Sequence, residues 1–228
     1  MLEIARGVQR KKDHTEYFLT FEHPFLGTSM PSFGALLQYQ ETLLRPAAEW
    51  NSGLIGQVEI VTLVQKGSLL IQAEEQPESR LEAGGIHCLT VGDSAEFLVK
   101  NLSETAESNY CQIWLDTSEI EAMQGSESSK TEISGGKGGL VPLASGQGET
   151  TGLSLQQDVA VYLSRLRPTE SLIFETLPSR RVFLAVVDGV IRLEEDRLVT
   201  SDSVMIRKES LVEIAAQQRS SLLLVDLP

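Results

Sequence analysis

Three residues that could bind a metal fall in one half of the sequence. His87 and Cys88 are adjacent, and Glu59 lies in an earlier segment of the same half. Imidazole, thiolate and carboxylate groups together can hold a divalent transition metal. His87 and Cys88 both fall in a predicted strand, however, where neighbouring side chains point to opposite faces of the sheet. We therefore interpret His87 as a hydrogen-bonded histidine, and a metal site built from these three residues is the alternative.

The two cysteines, Cys88 and Cys111, are candidate redox thiols. A thiol that senses oxidants needs exposure and a lowered pKa, and no neighbouring residue in either segment supplies a cation. Alternation along YCQIWL places Cys111, Ile113 and Leu115 on one face and Tyr110, Gln112 and Trp114 on the other. The sequence therefore predicts buried thiols, with redox sensing as the alternative.

Composition excludes several classes of protein. The 228 residues include 19 Lys and Arg against 32 Asp and Glu, a formal net charge of −13. Direct binding of nucleic acid needs clustered basic residues, so it is not expected. Two cysteines cannot build a disulfide framework. No apolar run approaches the roughly 20 residues that span a bilayer, and the N-terminus reverses the order of a signal peptide. We expect a cytoplasmic protein without membrane contact.

Two short glycine-containing motifs resemble a phosphate-binding loop or a nucleophile elbow, but the residues around them do not fit either. The string GGKGG at 135–139 does not follow a strand and lacks the Lys-Ser/Thr ending of a phosphate-binding loop. The string SGQG at 145–148 is a polar loop, and no Gly-x-Ser-x-Gly nucleophile elbow occurs in the chain. The residues alone therefore predict no nucleophilic or phosphate-binding site.

Short β-rich runs with turn signals between them dominate the chain and predict an all-β barrel or sandwich. We predict hairpins at Lys66-Gly67 and Asp188-Gly189, because a Gly turn between two β-rich runs favours a hairpin. A short helix is predicted at 118–124. The predicted strands cover 58–65, 68–73, 86–91, 95–99, 110–115, 158–163, 171–177, 182–187, 190–194, 203–206, 211–215 and 221–227.

The two halves share one rhythm of strands and Gly turns, which indicates a weak internal duplication. The segment 125–139 is rich in Ser, Gly and charge, and predicts a linker or a long surface loop. The expected organisation is a first barrel over 1–124, this linker, and a second barrel over 140–228.

The chain resembles the pirin-like family of bicupins, in particular the bacterial branch that includes quercetin 2,3-dioxygenases. The motifs that carry the resemblance are FGALL (33–37), VEIVTLVQKGSLLIQ (58–72), AGG (83–85), NLSE (101–104), CQIWLD (111–116), SRRVFLAVVDGVIRL (179–193) and LLLVDLP (222–228). The resemblance implies two tandem cupin barrels. It also implies that His14 and His23 are structural or surface residues, because the N-terminal strand of the family packs across the barrels.

The family binds iron or a similar divalent metal in its first barrel through three histidines and a glutamate. The His-Pro-His motif of the family falls on Gly53, Leu54 and Ile55 here, and the later His and Glu fall on Phe97 and Val99. None of these four ligand positions (Gly53, Ile55, Phe97, Val99) carries a side chain that can hold a cation. We expect no metal cofactor at these positions.

The resemblance also locates a possible ligand pocket. Trp50, Asn51 and Gln57 fall at the mouth of the family's metal site, and Glu59 has the same strand parity as Gly53 and Ile55. The expected function is a metal-free, catalytically degenerate pirin-like protein that binds a small molecule or a protein partner. The alternative is a quercetin 2,3-dioxygenase-like oxygenase with a rebuilt or unrecognised metal site.

Overall fold

The computed structural model describes residues 1–23, 26, 32–131, 139–148 and 152–228. The described residues between 11 and 131, together with 152–157, form one compact unit, which we call barrel 1. Residues 1–10, 139–148 and 158–228 form a second unit, barrel 2. A 3-10 turn at Gly7–Gln9 is the one helical element in these described ranges. The prediction of an all-β fold is confirmed.

The strands fall into two sets. Strands β1, β13 and β15 to β22 belong to barrel 2 and the others to barrel 1. In chain order the strands are β1 (Leu2–Ala5), β2 (Lys11–His14), β3 (Phe18–Glu22), β4 (Leu36–Leu44), β5 (Glu49–Asn51), β6 (Val58–Lys66), β7 (Ser68–Ala73), β8 (Ser79–Glu82), β9 (Gly85–Val91), β10 (Phe97–Asn101), β11 (Ser108–Asp116), β12 (Gly125–Lys130), β13 (Leu140–Ser145), β14 (Leu153–Ser154), β15 (Ala160–Leu166), β16 (Ser171–Glu175), β17 (Arg181–Asp188), β18 (Val190–Leu193), β19 (Asp196–Val199), β20 (Ser203–Arg207), β21 (Leu211–Ala216) and β22 (Ser220–Leu227).

Each barrel consists of a large sheet and a four-stranded sheet. In barrel 1 the large sheet has the order β12-β9-β6-β11-β4-β3-β2, and the small sheet β5-β10-β7-β8. In barrel 2 the large sheet runs β1-β20-β17-β22-β15-β13, and the small sheet β16-β21-β18-β19. Six strands of each large sheet, all but β2, and all four strands of each small sheet correspond in order, which is the arrangement expected of two tandem cupin barrels.

Alternating side chains build the core of each barrel. In β6, Val58, Ile60 and Val64 join one buried cluster with Val99 of the opposite sheet. In β17, Val182, Leu184 and Val186 join an equivalent cluster in barrel 2. Because alternate residues of a strand share a face, these positions define the inner face of each large sheet.

The two predicted hairpins are wrong, although the strands on either side of each turn are present. β6 pairs with β9 and β11, whereas β7 pairs with β8 and β10. Gly67, at φ +83°, is therefore a corner where the chain passes from the large sheet to the small one. Gly189, at φ +98°, is the same corner between β17 and β18 of barrel 2. A local sequence pattern detects the turn but not which strands pair beyond it.

A serine on another strand holds each corner. The Ser108 hydroxyl donates to the Ser68 carbonyl and accepts from the Ser68 N–H, both at 3.1 Å. Ser220 makes the same two bonds, at the same distance, to the Val190 carbonyl and N–H. Gly67 and Gly189, with Ser108 and Ser220, are therefore equivalent positions, from which the residues of the two barrels can be matched.

The unit boundaries differ from the expected 1–124, 125–139 and 140–228. β1 pairs with β20, so the first ten residues lie in barrel 2. Residues 125–130 of the expected linker form the edge strand β12, which pairs with β9 along its length. The remainder of that linker, apart from 131 and 139, lies outside the described residues. A polar edge strand takes its stability from the ladder with its neighbour, so composition alone does not predict it.

The predicted helix at 118–124 is also wrong. The Asp116 carboxylate accepts a hydrogen bond from the Ser118 N–H at 2.9 Å, which closes a turn directly after β11. The Gln156 side chain then accepts from the Met123 N–H and donates to the Met123 carbonyl, both at 2.7 Å. Of these groups, the Met123 N–H is one that a helix over 118–124 would bond to the Glu119 carbonyl.

Candidate functional site

The residues at the four family ligand positions come together at one end of barrel 1. The Ser52 N–H donates to the Phe97 carbonyl at 3.0 Å, and Ile55 and Ala95 exchange backbone hydrogen bonds at 2.9 and 3.0 Å. These bonds bring the loop that carries Gly53 and Ile55 alongside β10. Ile55 therefore lies beside the start of β10, whereas a Cβ built on Gly53 would meet no atom within 4 Å.

Hydrocarbon fills the place where metal ligands would converge. Phe97 is 2% exposed and Val99 is fully buried, both within the barrel 1 core. The Phe97 ring packs between Trp50 and Trp114, with ring centroids 5.5 and 5.9 Å away. Ile55 is partly buried against the same cluster.

This donor set does not fit a divalent metal. Iron and similar ions need nitrogen, oxygen or sulfur donors, and the four positions present none. Across the described ranges, moreover, no group of three or more His, Cys, Asp or Glu side chains could hold a metal ion. No step of a reaction can be derived through a metal held by these residues.

The predicted pocket residues divide into two sets. Trp50 is half-buried against Phe97, and Asn51 is exposed with its side-chain oxygen accepting from the Gly53 N–H at 2.7 Å. Gln57 is exposed, and its backbone bonds to Gly92 and Thr117. Of these three residues, Trp50 contacts Phe97, while Asn51 and Gln57 are at the surface on either side of the loop that carries Gly53 and Ile55.

Glu59 lies apart from them, on the opposite face of β6 from Val58 and Ile60. Its buried carboxylate accepts hydrogen bonds from the N–H groups of Gln156 and Gln157 at 2.8 Å and from the Thr90 hydroxyl at 3.0 Å. Strand parity fails here because residues 53–57 form a loop, so alternation does not carry through it. Glu59 anchors residues 156 and 157 and does not reach the pocket.

A row of buried polar side chains crosses the inner face of the large sheet and was not predicted. His87, Thr62, Gln112 and Gln40 are directly opposite one another on β9, β6, β11 and β4. The Gln40 amide donates to the Gln112 oxygen at 2.6 Å, and the Gln112 amide donates to the Thr62 hydroxyl at 3.2 Å. We call these four residues the polar row. Polar residues recur at alternate positions in β4, at Gln38, Gln40 and Thr42, but the row itself depends on register between distant segments.

His87 is the one ionisable member of the polar row. It is 2% exposed, and its Nε2 is 2.8 Å from the Ser126 hydroxyl oxygen. Burial lowers the pKa of His87 to about 4, so the ring is neutral at physiological pH. This environment is that of a hydrogen-bonded core histidine.

Both thiols are buried and neither is in a disulfide. They share the face of the large sheet opposite His87 and Gln112. Burial raises the pKa of the Cys88 thiol, and the carboxylates of Glu59 and Glu127 raise it further. These surroundings are the reverse of those that activate a cysteine.

The other two histidines lie away from the ligand positions. His14 is exposed at the end of β2. His23 is buried, and its backbone N–H donates to the Tyr39 carbonyl at 3.0 Å.

Trp114 brings an unsatisfied donor to the aromatic cluster. Its indole nitrogen is buried and has no hydrogen-bond partner among the described residues. Leaving such a group unpaired costs about 1–3 kcal/mol.

The comparisons with known proteins agree with this architecture. A model of the quercetinase C-terminal cupin domain matches residues 142–227. Quercetin 2,3-dioxygenase of Escherichia coli K12 is 25% identical over 216 residues, spanning 94% of this chain and 90% of that protein. The pirin-like protein YhaK of the same strain is 24% identical over 217 residues, spanning 93% of this chain and 91% of YhaK.

Solved structures show the same fold. The crystal structure of the bacterial pirin YhhW from Escherichia coli in complex with nickel(II) superposes with a TM-score of 0.88 at 21% identity. It covers 100% of this chain and 99% of that one. In the described part of this chain, no helix is long and apolar enough to cross a membrane.

Proposed function

Because the chain is a pirin-like bicupin, we propose that it works by binding, without a metal and without oxygenase activity. The observation that carries this proposal is the content of the four ligand positions, where Gly53, Ile55, Phe97 and Val99 offer no donor. An oxygenase that uses this barrel must hold its metal there, since the described residues contain no alternative donor cluster. The proposal therefore turns on chemistry and not on the shape of the fold, which many activities share.

The proposed ligand is a small molecule at the mouth of barrel 1. Trp50 offers a partly exposed aromatic face, and Asn51 and Gln57 offer polar groups beside it. Leu54 adds an apolar side chain that is 71% exposed. The unpaired indole N–H of Trp114 favours a ligand with an acceptor oxygen in contact with the rings.

Quercetin tests both the binding of a small molecule and the absence of oxygenase activity, because a relative of this chain is a quercetin 2,3-dioxygenase. We expect it to quench tryptophan fluorescence in the presence of a chelator, with no oxygen uptake when iron, manganese, nickel or copper is added. Trp114→Phe keeps an aromatic ring but removes the N–H, and should weaken binding about fivefold or more.

The control is Tyr17→Phe, which also removes one polar atom from an aromatic residue, here a half-exposed one in barrel 1. It should leave quenching unchanged. Metal-dependent oxygen uptake would refute the proposal and favour the oxygenase alternative. Equal dissociation constants for the wild type and Trp114→Phe, the latter measured from the quenching of Trp50, would refute the proposed position of the ligand.

A further inference from the structure

A notch in barrel 2 exists because one strand of the small sheet stops early. In barrel 1, β7 continues to Ala73, which pairs with Phe97 on β10. In barrel 2, the ladder between β18 and β21 ends at the Leu193–Ile214 pair. β18 then turns through Glu194 and Glu195 into β19. β21 therefore extends three residues, Leu211–Glu213, beyond the end of its neighbour.

The notch has an apolar floor. Leu193, Ile206 and Val212 line it and are each no more than 3% exposed, and Leu2 of β1 packs beside them. The cavity measures about 270 Å³. Leu211 lies at its edge and is 49% exposed, a large apolar side chain left at the surface.

The rim of the notch is acidic. Glu194, Glu209 and Glu213 line it, against the single guanidinium of Arg192. Glu209 binds the N-terminal ammonium of Met1. Among the described residues, Glu194 and Glu213 have no ion-pair partner. The rim thus offers two carboxylates without an ion pair, beside the apolar floor and the Arg192 guanidinium.

We propose that this notch docks an extended segment of a partner protein in which lysine or arginine alternates with valine, isoleucine or leucine. Such a segment would pair with residues 211–213 of β21 in the place that β18 vacates. Strand alternation would then turn its aliphatic side chains onto Ile206 and Val212, and its cations outwards beside Glu213. This docking site lies in barrel 2 and does not depend on the function proposed for barrel 1.

Charge complementarity selects this occupant over others. The chain carries a net charge of −13, so an acidic partner would be repelled at long range. A neutral apolar strand would cover the floor but leave the rim carboxylates facing it. A basic strand with alternating aliphatic residues would cover the apolar floor, pair its cations with the rim carboxylates and bond to the free edge of β21.

Fluorescence anisotropy of a dye-labelled peptide tests the proposal with the full chain. The probe is acetyl-Lys-Val-Lys-Val-Lys-Val-amide, and the comparison peptide replaces every lysine with glutamate. Glu213→Lys should weaken binding of the lysine peptide about tenfold, and raised salt should weaken wild-type binding as well. The matched control is Glu119→Lys, the same charge change at an exposed position of barrel 1, which should change affinity by less than about twofold.

Each alternative predicts a different outcome. Equal binding by Glu213→Lys, or equal binding of the glutamate peptide, would overturn the proposal. A backbone N-methylated lysine peptide that binds as well as the parent would exclude strand pairing and overturn it too. Displacement by n-butylammonium at the same concentration as the peptide would show a small-amine site instead. A concentration-dependent dimer lost in Glu213→Lys would make a second copy the occupant.

Discussion

The two barrels place equivalent residues at equivalent registers, so they can be compared position by position. Counting from the corners Gly67 and Gly189, Val99 of barrel 1 corresponds to Ile214 of barrel 2, and Phe97 corresponds to Val212. At the level of the family's metal site, barrel 1 therefore carries the same kind of side chain as barrel 2. At these two positions barrel 1 and barrel 2 both carry buried apolar side chains.

The polar row shows the opposite behaviour. Thr62, His87 and Gln112 correspond to Leu184, Val204 and Leu224 of barrel 2, and Gln40 corresponds to Tyr162. Barrel 1 thus keeps a hydrogen-bonded inner face where barrel 2 is almost wholly apolar. The four ligand positions of barrel 1 are apolar or without a side chain, whereas the inner face of its large sheet carries hydrogen-bonded polar groups.

Substitution of the corner glycine, which both barrels share, should have the largest effect on stability. Gly189→Ala should cost about 4 kcal/mol, because a Cβ there would overlap the Arg219 carbonyl oxygen at positive φ. Gly67→Ala should be nearly as costly, since its Cβ would overlap the Ser108 hydroxyl and lie 2.9 Å from the Ser108 Cα. Urea unfolding measures both. A loss below about 1 kcal/mol for either would mean that the corner can relax, contrary to our account.

Phe97→Ala tests whether the former ligand position is now core. Removing a fully buried phenylalanine costs about 3–4 kcal/mol when the site cannot collapse. Tryptophan emission should shift as well, because Trp50 and Trp114 both contact the ring. The matched variant Val212→Ala of barrel 2 should cost about half as much, since it removes fewer carbon atoms. A nearly neutral Phe97→Ala would indicate an open pocket at this position.

His87 should make stability depend on pH in barrel 1. Its pKa is about 4 when folded and about 6.5 when unfolded, so between these values only the unfolded chain binds the proton. The free energy of unfolding is therefore not reduced by His87 well above pH 6.5. As the pH falls to 4, protonation of this residue in the unfolded chain lowers that free energy by about 3 kcal/mol.

His87→Gln isolates this effect, because glutamine does not titrate. The free energy of unfolding should fall less steeply for this variant than for wild type between pH 6.5 and 4. The exposed His14→Gln serves as control and should follow the wild type. Parallel curves for the wild type and His87→Gln would show that the buried ring does not carry this dependence.

The smallest effect converts one residue of the polar row to its barrel 2 counterpart. Gln112→Leu strands the Gln40 amide donor and should cost about 1–2 kcal/mol. Adding Thr62→Val and Gln40→Leu should recover most of that loss, because both partners of the two bonds within the polar row are then apolar. The half-buried Gln38 amide, which donates to the Gln40 oxygen at 2.7 Å, can turn to water instead. Thermal unfolding of the single and triple variants measures the difference. A triple variant less stable than the single one would contradict the mutual satisfaction of the row.

Local patterns of apolar and β-branched residues predict β6, β7, β9 to β11, β15 to β18 and β20 to β22, but not β1 to β5, β8, β12 to β14 or β19. They fail where pairing is non-local: β1 completes barrel 2, and the Gly67 and Gly189 turns are corners between sheets. The ligand positions could be found through family motifs. The polar row and the unpaired Trp114 N–H depend on register between segments far apart in sequence, which no single segment specifies.

Metal-binding side chains introduced at the ligand positions of barrel 1 test whether those positions converge. Ile55→His, Phe97→His and Val99→Glu together place three donors at one end of barrel 1, and three suffice to hold a divalent ion. The folded variant should bind nickel(II) in calorimetric titration, whereas the wild type should not. A folded variant that binds no nickel would show that these positions do not converge as described.

The metal content of the wild-type chain shows whether barrel 1 works without a metal. The protein is purified from cells grown with added iron, manganese, nickel and copper, and its bound metals are measured by elemental mass spectrometry. We predict less than about a tenth of an ion per chain, because the four ligand positions provide no donor. Near-stoichiometric metal that survives gel filtration would contradict the account.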